Sequence, residues 1–333
     1  MKQVNSIHPT PNIAKRVFSR REWVPFGLLL VTLLVSISLS DSFRDLAYLL
    51  RTTTRYMELG MTALAMTMIV AAGMIDLSVP ATMCLSATTA ALAFHAGLPM
   101  QAAIPLGLLT GLACGAINGL LIAYLNLPAL IVTIGTMSVF RGISQIFIGD
   151  KSLGKFPAWF NSVEKIPVFM IGKARFGVTI LAFIVIAFVF YLILHRTSFG
   201  RKVLAVGANE QAAIYSSVNT RRVKMKLFLL SGFISGVAGL LTMSRLLLVR
   251  YDMNLNSEID VVAMVLLGGA EINGGSGSII GTFIAVLLVI ILKTGLIVAN
   301  ITSDAQMFVM GLILLLSIII PNIGKLVQRF KDR

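Results

Sequence analysis

Long apolar stretches alternate with short polar ones over most of this chain. One runs from Trp23 to Ser40, and others fall near 57–75, 79–97, 102–125, 128–148, 175–195, 226–248, 259–272, 278–299 and 304–320. A helix needs about 18 or more apolar residues to cross a bilayer. The pattern predicts an all-α, polytopic membrane protein with about ten transmembrane helices. An outer-membrane barrel would show short alternating segments instead. The stretch at 259–272 is short and runs into glycines, so it is expected to be broken or re-entrant. The first stretch follows a basic tail, and Ser36, Ser38 and Ser40 imitate a signal-peptide cleavage site. It is longer than a usual signal core, so it reads as an uncleaved first helix.

Composition narrows the class further. Of 333 residues, 57% are hydrophobic and only 13% charged, against about 25% charged in soluble domains. A soluble enzyme and a disordered chain are thereby excluded. Lys and Arg total 28 against 14 Asp and Glu, a net charge of +14. No loop interleaves Arg with stacking aromatics, so no nucleic-acid partner is expected. Membrane lipid is the expected surrounding, with basic residues gathered on cytoplasmic loops. Cys84 and Cys114 lie in apolar stretches, and His8, His95 and His195 are far apart. No metal-ligand spacing results, and neither a metal nor another cofactor is expected.

Loop charges set the orientation. Placing both termini in the cytoplasm (N-in and C-in) puts sixteen basic residues inside and nine outside, as the positive-inside tendency favours. The chain then divides into a cytoplasmic basic tail at 1–22, a membrane domain at 23–321 with a cytoplasmic loop near 196–226, and a second basic tail at 322–333. No connecting segment is long enough for a separate domain of about 50 residues. No GxxxxGK[ST] loop occurs: Gly172-Lys173 and Gly324-Lys325 are followed by Ala and Leu. Any ATP-driven step must therefore use another chain.

Four features bear on mechanism. Gly107, Gly111, Gly115 and Gly119 recur every fourth residue and form a stripe for close helix packing. Gly232, Ser235, Gly236 and Gly239 form a second stripe. Two polar breaks, Gly73–Pro80 and Gly268–Ser278, interrupt apolar sequence. They read either as tight turns or as hinges at a wet cavity, since irregular backbone at membrane depth needs protein or water around it. Asp76, Ser78, Asn118, Glu271 and Asn273 are the candidate pathway or hinge residues at and near these breaks. Within the spans lie Arg141, Arg245 and Lys293, with Arg141 close enough to a span end to snorkel. Asp252, Glu258 and Asp260 read as a solvated outer loop. No chain of buried carboxylates or histidines suggests a proton relay.

The fourth feature is the cytoplasmic loop. Gly207-Ala208 breaks it, Asn209 is placed to cap a helix, and Glu210 stands in the favourable first turn. Ala212, Ala213, Ile214 and Tyr215 give that short helix an apolar side. Such a helix has few partners within a chain that lacks a soluble domain. A docking surface for another subunit is one reading, and a helix resting on the bilayer is the other. No GxSxG, HExxH or paired-carboxylate arrangement points to an enzyme.

Several strings carry a resemblance. They are Gly-Met-Ile-Asp-Leu-Ser at 73–78, Leu-Pro-Ala-Leu-Ile-Val-Thr-Ile-Gly-Thr-Met at 127–137, and Arg141-Gly142. Thr-Ser-Phe-Gly-Arg at 197–201, Val-Gly-Ala-Asn-Glu at 206–210, Leu-Gly-Gly-Ala at 267–270 and Gly-Gly-Ser-Gly-Ser at 274–278 follow in order. Together they resemble the permease subunits of ribose-type ABC importers over nearly the whole chain. The resemblance implies a second permease chain, identical or related, two ATPase subunits underneath, and a periplasmic substrate-binding protein. It places the ATPase contact at Gly207, Ala208, Asn209, Glu210, Ala213 and Tyr215. It implies import of a monosaccharide or related small polyol by alternating access. Pro80 and Ala270-Glu271-Ile272-Asn273 depart from the ribose-like pattern, and the run at 274–282 leans toward the autoinducer-2 and deoxy-sugar branches. The competing expectations are a stand-alone secondary transporter of a sugar or amino acid, and a membrane-embedded enzyme or structural subunit.

Overall fold

A computed structural model describes residues 22–163, 166–172, 174–315 and 319. The two basic tails lie outside the described residues, apart from Glu22. A helix occupies each of the ten apolar stretches. These are α1 (Trp23–Leu39), α2 (Leu46–Ala71), α3 (Val79–His95), α4 (Met100–Ala123) and α5 (Ala129–Ile148). After a one-turn helix α6 (Ala158–Asn161) come α7 (Val178–Arg196), the paired short helices α8 (Ser198–Ala208) and α9 (Glu210–Tyr215), and α10 (Thr220–Leu246). The chain continues through α11 (Ser257–Leu267), α12 (Ile279–Val298) and α13 (Ser303–Leu315). Among the described residues five helices, α4, α5, α7, α10 and α12, are long and apolar enough to cross a membrane.

The fold is organised around α2. Every residue from Met57 to Ala72 is buried, which is the signature of a helix enclosed by others. Helices α7, α10, α11 and α12 surround it. Four buried methionines, Met57, Met61, Met66 and Met68, suit this place because an unbranched thioether fills irregular gaps between helices. The helix starts eleven residues before its apolar stretch. Asp45 accepts the amide of Ala47 at 2.9 Å and caps it, so the polar turn Arg51–Arg55 is helical as well.

Helix α10 joins this centre to α3 and α4. The glycine stripe of α4 lies against α10. A methyl added at Gly115 would stand 2.3 Å from the Phe228 carbonyl oxygen, and one at Gly111 2.5 Å from that of Gly232. At Gly107 it would meet the Ser86 carbonyl of α3 at 2.8 Å, and at Gly119 the Met225 sulfur at 2.6 Å. Side chains are excluded here because the two backbones are nearly in contact.

Helix α11 is short, as its stretch suggested. Eleven residues span about 16 Å, roughly half of a 30 Å hydrocarbon core. The expectation of an all-α chain needs one correction: four short strands occur among the described residues. β1 (Leu153–Gly154) pairs with β4 (Leu248–Val249), and β2 (Pro167–Ile171) with β3 (Ala174–Gly177), both antiparallel. They structure the segments after α5 and α10, where Gly149 and Leu247 at positive φ end the helices.

Candidate functional site

The two polar breaks and the α8–α9 segment meet at one place. After α2 ends, Gly73 takes φ +78°, and Gly274 and Gly275 take +81° and +78°, backbone that glycine adopts without strain. The Gly275 amide donates to the Ala71 carbonyl at 2.9 Å. Gly207, near the end of α8, closes the contact. A methyl there would stand 2.0 Å from the Ala71 carbonyl oxygen and 2.5 Å from the Gly275 nitrogen. One at Gly274 would meet both the Gly207 oxygen and the Gly73 Cα at 2.7 Å. The end of α2, both breaks and the end of α8 thus touch through bare backbone.

Asp76, Ser78 and Asn118 come together beside this junction. The Asp76 carboxylate accepts the Ser78 amide at 3.0 Å and the Ser78 hydroxyl at 2.6 Å. It also accepts the Ser231 hydroxyl of α10 at 3.0 Å. Asn118 of α4 donates to Ser78 Oγ at 2.8 Å. All four side chains are buried, so the cluster ties α3, α4 and α10 together rather than opening on solvent. Glu271 and Asn273 lie apart from it, in the second break. The Glu271 carbonyl accepts the Gly274 amide at 2.9 Å, and its own amide donates to the Ser276 carbonyl at 3.2 Å. Asn273 is exposed, with its carbonyl turned toward Gly73. Ser278 opens α12 by accepting the Gly281 amide at 3.0 Å.

The α8–α9 segment shows two faces. Asn209 accepts the Ala212 amide at 2.9 Å and caps α9. Glu210 pairs with Lys224 of α10 at 2.6 Å, and Ala213 is buried. The ion pair and the buried Ala213 fix α9 to the bundle. Ala208 and Asn209 are exposed, as are Ile214 and Tyr215, the latter at 87%. Of the residues the resemblance assigned to the ATPase, Gly207 and Ala213 face inward and Ala208, Asn209 and Tyr215 face outward. Helix α8 itself was not foreseen. Its register places Gly200, Val203 and Val206 inward.

The three basic residues within the spans each find a partner. Arg245 donates to Glu58 of α2 at 2.8 Å, and Lys293 pairs with Asp260. Arg141 does not snorkel. It donates to the Tyr251 and Met253 carbonyls at 2.8 and 2.7 Å, because the loop after α10 folds back over α5. Asp260 is not in a solvated loop but buried in α11. Glu258 is in the first turn of that helix, and Asp252 pairs with Arg250 at 2.9 Å. Sequence reasoning passed over Glu58 and Ser231. Ser231 stands four residues before Ser235, on the same helical face as the small-residue stripe, so its periodicity carried a usable signal. Glu58 carried none, because its partner is 187 positions away.

A cavity of about 250 Å³ opens beside the first turns of α2, lined by Tyr48, Arg51, Thr52, Arg55, Tyr56 and Thr294. Lys293 stands 5.4 Å from the Tyr56 ring centre, which links this cavity to the Asp260 pair. Among the described residues no three His, Cys, Asp or Glu side chains gather as metal ligands.

Residues 48–318 match the family described as the permease component of the branched-chain amino acid transport system. The chain belongs to this permease family. It is a multi-pass protein of the bacterial inner membrane and a transport permease, not an enzyme. It is also similar to the autoinducer 2 import system permease protein LsrD of Escherichia coli strain K12, of Shigella flexneri and of Escherichia coli O157:H7. Each is 33% identical over 312 residues, covering 92% of this chain and 93% of the relative. The resemblance to ribose-type ABC importer permeases, with its lean toward the autoinducer-2 branch, agrees with both comparisons. No solved structure matches the permease.

Proposed function

We propose that this permease forms the membrane pathway of an ATP-driven importer for a sugar-like small solute, with autoinducer 2 the first candidate. The family description names branched-chain amino acids and the relatives' names autoinducer 2, so membership alone does not choose the solute. In this reading ten helices cross the bilayer with both termini inside. Two ATPase subunits dock on the exposed edge of α8–α9, at Ala208, Asn209 and Tyr215. A second permease chain completes the pathway, and a periplasmic binding protein delivers the solute.

One observation carries the coupling step. Gly207 lies against Ala71 and Gly275 with no side chain between. A rigid-body push on α9 therefore reaches the central helix and the start of α12 without first compressing flexible side chains. Helix α9 cannot absorb the push alone, because the buried Ala213 and the Glu210–Lys224 pair hold it to the bundle. Alternating access follows if the two breaks are the hinges that accept this motion.

The test is a variant carrying Ala208→Trp and Tyr215→Ala. Both positions are exposed, so the permease should insert and keep its thermal stability. Co-purification with its ATPase subunits should be lost, together with ATP-dependent uptake. Normal co-purification and uptake would move the docking surface elsewhere.

A further inference from the structure

The β2–β3 hairpin at 167–177 is exposed on both sides of its first strand. Pro167, Val168, Phe169 and Met170 are all exposed, at 44% for Val168, 51% for Phe169 and 50% for Met170, and Ile166 before them at 50%. A strand resting with one face on a core would alternate buried and exposed positions. This one does not. A two-stranded hairpin on its own is marginal in water, so consecutive exposed apolar residues need a second, non-aqueous surrounding. β3 reaches both α2 and α7, whereas β2 reaches mainly α7 among the helices; Phe176 packs toward the core, and Phe169 stacks on it with ring centres 4.1 Å apart.

Two features of the hairpin identify that surrounding. First, β3 ends at Gly177 and α7 begins at Val178, so no linker lifts the hairpin away from the end of a membrane-spanning helix. It lies at the level where helix ends meet lipid headgroups. Second, the sequence from Ile166 to Gly177 holds Lys173 and Arg175 but no acidic residue. Basic and aromatic or aliphatic residues side by side suit an anionic lipid surface, the apolar groups entering the acyl boundary and the cations meeting phosphates. We propose that the β2–β3 hairpin is an interfacial anchor, inserting Val168, Phe169 and Met170 into the bilayer surface beside α7 with Arg175 on lipid phosphate.

The proposal is independent of the solute and of the ATPase contact. Cys84 and Cys114 are buried, so Met170→Cys can be labelled selectively with an environment-sensitive fluorophore. The full chain goes into vesicles of phosphatidylethanolamine and phosphatidylglycerol, some carrying a nitroxide at the headgroup. A label at the exposed Ser152 position serves as the aqueous reference. The expected result is blue-shifted emission at position 170, quenched by the lipid nitroxide, with no other protein present. Adding Val168→Asp should shift that emission to the red and relieve the quenching, while an unchanged thermal unfolding midpoint reports that the chain still folds. Emission at 170 equal to the Ser152 reference would overturn the anchor. So would a blue shift that appears only after the binding protein is added, which would make the hairpin a protein-docking element, and so would quenching that Val168→Asp leaves unchanged.

Discussion

Along α2 the bundle is fastened in two different ways. At its end, Ala71 meets Gly207 and Gly275 through bare backbone. About 20 Å back along the helix, Glu58 meets Arg245 through a charged pair, and Asp260 and Lys293 form another between α11 and α12. Charged side chains act at a distance but tolerate small displacements of the helices that carry them. Backbone contact has no such slack, so a displacement on one side must appear on the other. The difference separates a region that holds the helices together from one that relays movement between them.

The largest effect should come from breaking the charged region. Glu58→Ala leaves the Arg245 guanidinium without its carboxylate in a largely buried place. Removing one partner of such a pair costs about 3 kcal/mol or more. Thermal unfolding in detergent should show a clear drop, partly recovered when Arg245→Met is added. An unchanged midpoint for Glu58→Ala would mean that the pair does not hold the bundle.

The next effect tests the backbone region. Gly207→Ala forces a methyl against the Ala71 carbonyl, and overpacking of this kind costs about 1–3 kcal/mol. Uptake should fall much more than that loss of stability would explain, because the relay itself is displaced. Gly27→Ala in α1, where an added methyl meets nothing within 4 Å, should leave both stability and uptake near wild type. If Gly207→Ala lowers stability and uptake in proportion, the contact is ordinary packing.

Ser231→Ala should be the mildest. It removes the hydroxyl that donates to Asp76 Oδ2, while Oδ1 keeps both of its bonds from Ser78, and costs about 1.5 kcal/mol, the low end for a bond to a charged group. The same thermal measurement separates it from Glu58→Ala. A loss as large as that of Glu58→Ala would show that the Asp76 cluster, and not the ion pairs, carries the holding role.

What the sequence made legible follows the distance over which each feature is determined. Apolar stretches are local, and a helix stands in each of the ten. The Asn209 cap of α9 is local too, set by one side chain and an amide three residues on. Helix α2 was read eleven residues short because Arg51–Arg55 interrupts the apolar pattern while Asp45 still starts the helix. Helix α8 was hidden because Gly200 and Gly207 lower helix propensity, and only packing against the bundle supplies what propensity lacks. The resemblance marked Gly207 as part of an ATPase contact. Its inward role depends on Gly275 and Ala71, and no local pattern joins those positions. Asp260 was misplaced for the same reason: its burial depends on Lys293, 33 residues away.

The relay through Gly207 is tested most directly in proteoliposomes holding the permease with its ATPase subunits, the binding protein supplied on the outer side. ATP hydrolysis and solute accumulation are measured together for the wild type and for Gly207→Ala, at a temperature where both remain folded. The account predicts that the variant still binds its ATPase subunits and hydrolyses ATP but does not accumulate solute. Accumulation at the wild-type rate would contradict it.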